Sequence, residues 1–404
     1  MKQRITWIDQ LRGIAMFSVV IGHVALPKET ISLIYSFHMP LFFMISGMTL
    51  NDGRILRTPL IPSIIDKAKK LIVPYLWMSF IMFPMWFVTW KMIASTKSTI
   101  FQVFKGILYG NNVDYYSGTS NALWFLLTLF FANILYSVLV KIANGNEGVL
   151  ATATAVCGVI GFLDKGVAQI WHFNVAFTAV VFMYIGRCIM LLYKEHTEWF
   201  ESRKEKGKYL LMLVLYVLGV FFHRQNGRIS MTANKFGSSP VLYYVTAITL
   251  SFAIILTVIL LPKIKFFEYV GKNTLLYVGL HVPLIRLFEQ AFPEIKSSVL
   301  YSFLLGLGVY IVMAGICAIF NKCFPFVCAK PSFKGDKLVE AGKYLMTYTS
   351  LIIPVYAVLQ KLTPDLPTST MVVMLAAVTL IPTVIFVLVA DKFLPFVFFS
   401  KEKN

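Results

Sequence analysis

Apolar stretches long enough to cross a bilayer recur about twelve times along this chain, and that recurrence decides what it can fold into. They lie near residues 5 to 25, 31 to 50, 71 to 92, 121 to 142, 148 to 163, 168 to 192, 208 to 223, 239 to 261, 273 to 290, 296 to 322, 343 to 360 and 369 to 390. A chain of 404 residues that is 58% hydrophobic and 14% charged, with mean hydropathy +0.73, has too little polar surface for a soluble domain. The expectation is an all-α polytopic membrane protein. The segments around 148, 208 and 273 are short or polar, as tilted, broken or re-entrant helices are.

A formal charge of +18 would fit nucleic-acid binding if the cations were pooled, but they alternate between loops. With the N-terminus placed in the cytoplasm, that side collects Lys2, Arg4, Arg54, Arg57, Lys67, Lys69, Lys70, Lys141, Arg187, Lys194, the cations from Arg203 to Lys208, those from Lys263 to Lys272 and those from Lys322 onward. Roughly 25 of the 37 Lys and Arg residues then lie inside, which is the positive-inside pattern of an even helix count. Both termini are expected to be cytoplasmic, and nucleic acid is excluded as a partner. Asp9 and Arg12 interrupt the first apolar run, so it reads as a retained helix rather than a cleaved signal. The five cysteines are scattered through spans and one helix end, with the pattern of packing residues and not of a disulfide framework or metal cluster.

The first span holds two ionisable residues, Arg12 and His23. Such groups cost roughly 2.5–3.5 kcal/mol each at mid-membrane, so they persist where they face a cavity and act there. Eleven helical residues turn through about 1100°, some 20° from three full turns, and rise about 16 Å. Both side chains therefore leave one helix face at different depths. Asp9 stands three positions before Arg12, a spacing that lets the two neutralise each other or lets Asp9 aim Arg12 at an anion.

His38 opens the returning span at the depth of His23. An imidazole accepts and returns a proton near neutrality, which is what activating a hydroxyl requires, although an outer-end histidine also serves as a simple interfacial hydrogen-bonding group. Two histidines with no acidic third ligand nearby do not make a metal site. Arg54 and Arg57 are topogenic charges that also present two planar guanidinium groups suited to phosphate. The stretch from Asn51 to Lys70 alternates apolar residues with lysines and reads as a short interfacial helix. Asn121 and Trp124 follow an external loop rich in Tyr and Asn, a mixture that suits sugar binding and equally an interfacial aromatic belt. His281 in mid-span and Arg286 nearer the outside again argue for a cavity. Trp171, His172 and Asn174 are further candidates for an acceptor rim, and His196 and His223 read as loop residues.

Several of these motifs together resemble the acyltransferase-3 membrane family, in the branch similar to fucose 4-O-acetylases. They are Trp7-Ile-Asp9-x-Leu-Arg12-Gly-Ile-Ala with Arg12 and His23 spaced as R-x10-H, then Phe37-His38-Met-Pro40-Leu-Phe-Phe-Met-Ile-Ser46-Gly47, then Arg54-x-x-Arg57. Leu71-Ile-Val-Pro74-Tyr75, Leu123-Trp124-Phe-Leu and Gly271-Lys-Asn-Thr-Leu with His281-Val-Pro283 extend the match. The resemblance implies a bacterial plasma-membrane enzyme that moves an acyl group from cytoplasmic acetyl-CoA, or another short acyl-CoA, to a hydroxyl of a cell-surface carbohydrate or glycolipid. It implies His23 as the catalytic group and Arg12, Arg54 and Arg57 as donor-site residues. Lys70 and the lysines beside it would join the donor head, while His38, Asn121, Trp124, His281 and Arg286 would face the acceptor.

Members of the family typically have about ten spans. Residues 1–325 are therefore expected to form the acyltransferase domain, 326–342 a cytoplasmic linker, and 343–404 an additional C-terminal hairpin with a short tail. Many members also carry an extracytoplasmic SGNH hydrolase-like domain; none is read here, so the expected routes are direct acylation or delivery to a separate extracytoplasmic transferase. The competing expectation is an exporter of a lipid-linked saccharide, which intramembrane charge and helix number also fit and which would need no acyl-CoA.

Overall fold

The structure, a computed structural model, describes residues 5–86, 99–110, 122–164, 170–203 and 205–401. Seventeen helices follow one another among these residues. They are α1 (Thr6–Ile21), α2 (Lys28–Tyr35), α3 (His38–Met48), α4 (Asp52–Arg57), α5 (Leu60–Trp86), α6 (Ile100–Tyr109), α7 (Trp124–Ala143), α8 (Glu147–Leu163) and α9 (Val175–Glu195), then α10 (Thr197–Glu201), α11 (Lys206–Asn226), α12 (Pro240–Leu260), α13 (Lys265–Gly271), α14 (Thr274–Ala291), α15 (Val299–Cys323), α16 (Lys337–Leu362) and α17 (Thr368–Phe393). Among the described residues, eight helical segments are long and apolar enough to cross a membrane, and α8 is a shorter apolar helix. Helices also occupy the other expected spans, α1, α5 and α14. The protein is an all-α multi-pass membrane protein.

Helix starts follow local chemistry. Asn51, Asn146, Ser239, Ser298 and Asp336 each accept a backbone N–H from the first turn of the helix they precede, satisfying donors that have no intrahelical partner. The second span departs from expectation because it is two helices, α2 and α3, broken at Ser36 and Phe37. The interfacial helix expected over 51–70 is also corrected. Only α4 is separate; Pro59 ends the break, and residues 60–70 are the first turns of α5. Their lysines find partners beside the bundle, with Lys67 Nζ donating to Asn133 Oδ1 at 2.9 Å and Lys69 lying over the Phe396 ring at 5.4 Å.

Backbone contact sets the centre of the bundle. A Cβ on Gly47 of α3 would run into the carbonyl oxygen of Met183 in α9, and one on Gly186 would meet that of Met44. The two helices therefore cross at the closest approach that side chains permit, as small residues allow in membranes.

The linker expected over 326–342 is shorter and more buried than its composition implies. Pro325, Phe326 and Val327 lie in the core, and α16 begins at Lys337. The C-terminal hairpin is tied to the bundle by its own tail. Ser332–Phe333 (β1) pairs in parallel with Ser400–Lys401 (β2), the Trp77 indole donates to Val397 O at 2.9 Å, and Phe398 is fully buried against Trp77 and Phe326. Inside the hairpin, Lys343 is completely buried, with Nζ 2.8 Å from Asp391 and 2.9 Å from Glu340.

Candidate active site

Where α1 stops, its neighbours surround a cavity of 690 Å³, within the usual range for small-ligand sites. His23, Tyr35, His38, Phe42, Trp124 and Arg286 are among its walls. His23 lies two residues past Ile21, in a turn closed by its N–H on Val20 O. Its ring Nδ1 is 2.8 Å from Val19 O, one of the last-turn carbonyls that a helix leaves without a partner. A carbonyl only accepts, so this contact assigns the hydrogen to Nδ1 and the basic lone pair to Nε2.

The same argument fixes His281. Its Nδ1 is 2.5 Å from Tyr277 O, so its Nε2 is an acceptor, and that atom lies 3.3 Å from His23 Nδ1. The His23 N–H is thus shared between a carbonyl and a second imidazole, with the rings edge to face at 4.8 Å. His281 is fully buried and orients His23 from behind. Among the described residues, His23 Nε2 has no hydrogen-bond partner, and it is the ring nitrogen left to take a proton.

His38 opens α3 at the break in the second span and donates Nδ1–H to Ile34 O at 2.8 Å. Tyr35 stands between the imidazoles, its ring centroid 5.0 Å from His38 and 6.3 Å from His23. The break therefore brings His38 and Tyr35 to the depth of His23. Nothing in the spacing of the second span reveals Tyr35 as a cavity residue. His223, read from sequence as a loop residue, is in fact buried in α11 with Nδ1 2.7 Å from Ser36 Oγ, where it braces the same break.

One wall of the cavity is charged. Arg286 bonds Glu289 at 2.6 Å, Lys296 approaches the same carboxylate at 3.3 Å, and Glu289 is only 3% exposed. Arg228 joins them from the loop between α11 and α12. That loop is anchored by Asn234, in left-handed conformation at φ 50°, whose side-chain amide donates to Gly161 O and accepts from Thr178 Oγ1. His172 supports the wall from outside. It packs on Trp124 at 5.7 Å and reaches Thr232 O at 3.3 Å. Trp171, His172 and Asn174 are not among the residues that line the cavity. Asn121 lies outside the described residues.

The opposite end of α1 carries Asp9 and Arg12, bonded at 3.2 Å. Gly271 of α13 lets its helix approach so closely that a Cβ there would meet the Asp9 carbonyl and the Arg12 side chain. Arg54 and Arg57 are exposed on α4, with Arg57 Nε donating to Gly53 O, and Lys70 pairs with Asp66 at 2.8 Å. What holds α4 was hidden in the sequence. Arg187, which composition presents as a topogenic charge, bonds Asp52 at 2.5 Å and forks onto both Glu147 oxygens at 2.8 and 3.0 Å. Lys141 adds a bond to Leu56 O. At this end a second cavity of 730 Å³ is lined by Trp7, Gln10, Tyr193, Arg203 and Lys263 among others. Arg203 and Lys263, which the charge pattern assigns to the side of the N-terminus, thus stand near the start of α1.

Comparison with known protein families matches residues 5–321 to the third acyltransferase family, described as an acyltransferase domain. A curated relative is the nodulation protein NolL of Sinorhizobium fredii (strain NBRC 101917 / NGR234), 30% identical over 138 residues. That stretch is 31% of this chain and 34% of NolL, so the match spans about a third of the relative's length. No solved structure matches the chain.

Proposed function

The chain belongs to the acyltransferase-3 family and is a multi-pass membrane O-acyltransferase, and on that premise we propose that it transfers a short acyl group, acetyl by default, from cytoplasmic acyl-CoA to a hydroxyl of an extracytoplasmic carbohydrate or glycolipid. On this reading both termini are cytoplasmic, and the motif set supports the branch similar to fucose 4-O-acetylases. The observation that carries this reading is the His23–His281 contact at the cavity, just past the end of α1, whose residues from Arg12 to Ile21 rise about 14 Å. That span is comparable to an extended pantetheine arm.

In this mechanism the CoA phosphates bind Arg54, Arg57 and Lys70, and the thioester passes Arg12, which Asp9 orients. The acceptor enters the other cavity among His38, Trp124 and Arg286. His23 Nε2 removes the hydroxyl proton while the oxygen attacks the thioester carbonyl carbon. The C–S bond then breaks, and the imidazolium returns its proton to the departing thiolate. An acyl-His23 intermediate is the stepwise variant of the same chemistry.

Acetyl-CoA binding by the protein in nanodiscs, compared among wild type, Arg57→Ala and His23→Ala, tests the reading. Saturable binding lost in Arg57→Ala and kept in His23→Ala supports it. No binding of any short acyl-CoA by folded protein would move the assignment to saccharide export.

A further inference from the structure

Among the described residues, the lining of the cavity at His23 carries more positive than negative charge. Arg228, Arg286 and Lys296 line it against a single carboxylate, Glu289, which Arg286 and Lys296 share. Among the described residues, Arg228 has no acidic partner. The base in the proposed mechanism becomes an imidazolium as it takes the hydroxyl proton, and that new cation forms in the same cavity. A neutral acceptor would leave it facing uncompensated like charge, which opposes proton transfer. A negative charge on the acceptor would offset it and would also be fixed by guanidinium groups suited to binding oxyanions.

We infer that the acceptor is an anionic saccharide, bearing a phosphate or carboxylate that binds Arg228, Arg286 and Lys296 while its hydroxyl faces His23. The inference rests on the acceptor side of the reading above. Arg228 is the specificity residue. Arg286 and Lys296 are held in place by Glu289, whereas Arg228 is delivered by a loop that Asn234 anchors to α8 and α9. The anionic group and the reacting hydroxyl therefore bind different residues of one cavity, and a ligand that bears only one of them fills half the site.

The test is calorimetric titration of the full chain in nanodiscs of phosphatidylcholine, which carry no anionic headgroup. The probes are methyl glucoside, glucose 6-phosphate, glucuronate and inorganic phosphate. Glucose 6-phosphate, glucuronate or both should bind at least tenfold more tightly than methyl glucoside, and Arg228→Gln should cut that preference below threefold. Which of the two binds separates a phosphate-bearing acceptor from a carboxylate-bearing one. Equal binding of neutral and anionic sugars, binding of inorganic phosphate as tight as that of the sugar phosphate, an undiminished preference in Arg228→Gln, or no binding of any probe would each overturn the inference. Acetyl transfer is read separately; its absence alone would count against the acyltransfer mechanism, while the binding preference still decides this inference.

Discussion

His281 Nε2 lies 3.3 Å from His23 Nδ1, so one imidazole accepts from the other across 258 residues of sequence. The pair joins the first span to α14 at the wall of the cavity, and it fixes the tautomer of His23 with the lone pair on Nε2.

Replacing His23 by Ala should lower turnover by about 10²–10⁴-fold, the usual contribution of a positioned general base. Steady-state transfer from acetyl-CoA, with folding verified by thermal unfolding, measures it. Turnover within threefold of wild type would remove His23 from the mechanism.

In the proposed mechanism His281 acts through His23. His281→Asn, which keeps an acceptor near Nδ1–H, should retain more activity than His281→Leu, and both should reduce kcat more than they raise KM for acyl-CoA. If Asn and Leu are equally impaired, the contact serves packing and not orientation.

Arg187 positions the arginine pair on α4 through Asp52. Arg187→Ala strips Asp52 of its cation and leaves the half-exposed Glu147 with the Tyr184 hydroxyl, costing about 1–3 kcal/mol in stability. It should also raise KM for acyl-CoA, with partial rescue by Lys. An unchanged KM would detach this ion pair from the donor site.

In the C-terminal hairpin, Lys343→Ala leaves the partly exposed Asp391 and Glu340 without their buried cation, Asp391 keeping the Ser400 hydroxyl. The loss is about 1–3 kcal/mol, whereas Lys343→Met removes the charge but keeps the volume and should cost less than Ala. Midpoints of thermal unfolding in one detergent rank the two variants.

A fifth expectation concerns helix crossing. Gly47→Ala forces a methyl against the Met183 carbonyl and should destabilise by about 1–3 kcal/mol. Wild-type stability in this variant would mean that α3 and α9 separate easily.

The spans were legible because each is a long apolar run, and a buried helix needs no other signal. What sequence reasoning missed was set by tertiary contact. The break at Ser36 and Phe37 has a local mark in Pro40, which has no N–H for the Ser36 carbonyl, but the bracing of that break by Ser36 and His223, 187 positions apart, is tertiary. The lysines at 67 and 69 read as surface charges, yet one bonds Asn133 and the other covers Phe396, so α5 rises directly into the bundle. At the site, R-x10-H and the histidine of α14 were visible as costly charges in apolar surroundings. Arg228 was not, because a loop arginine in water has no such cost and looks like any other. Arg187 was hidden likewise, since only the fold brings Asp52 and Glu147 to it.

The parallel pairing of Ser332–Phe333 with Ser400–Lys401, and the Trp77 bond to Val397, set an order for biogenesis. The spans of residues 5–321 can enter the membrane as they are made, but the seam beside α5 closes only after residue 401 has left the ribosome. Until then Trp77 lacks a partner 320 positions later in the chain, and insertion and completion are separate events.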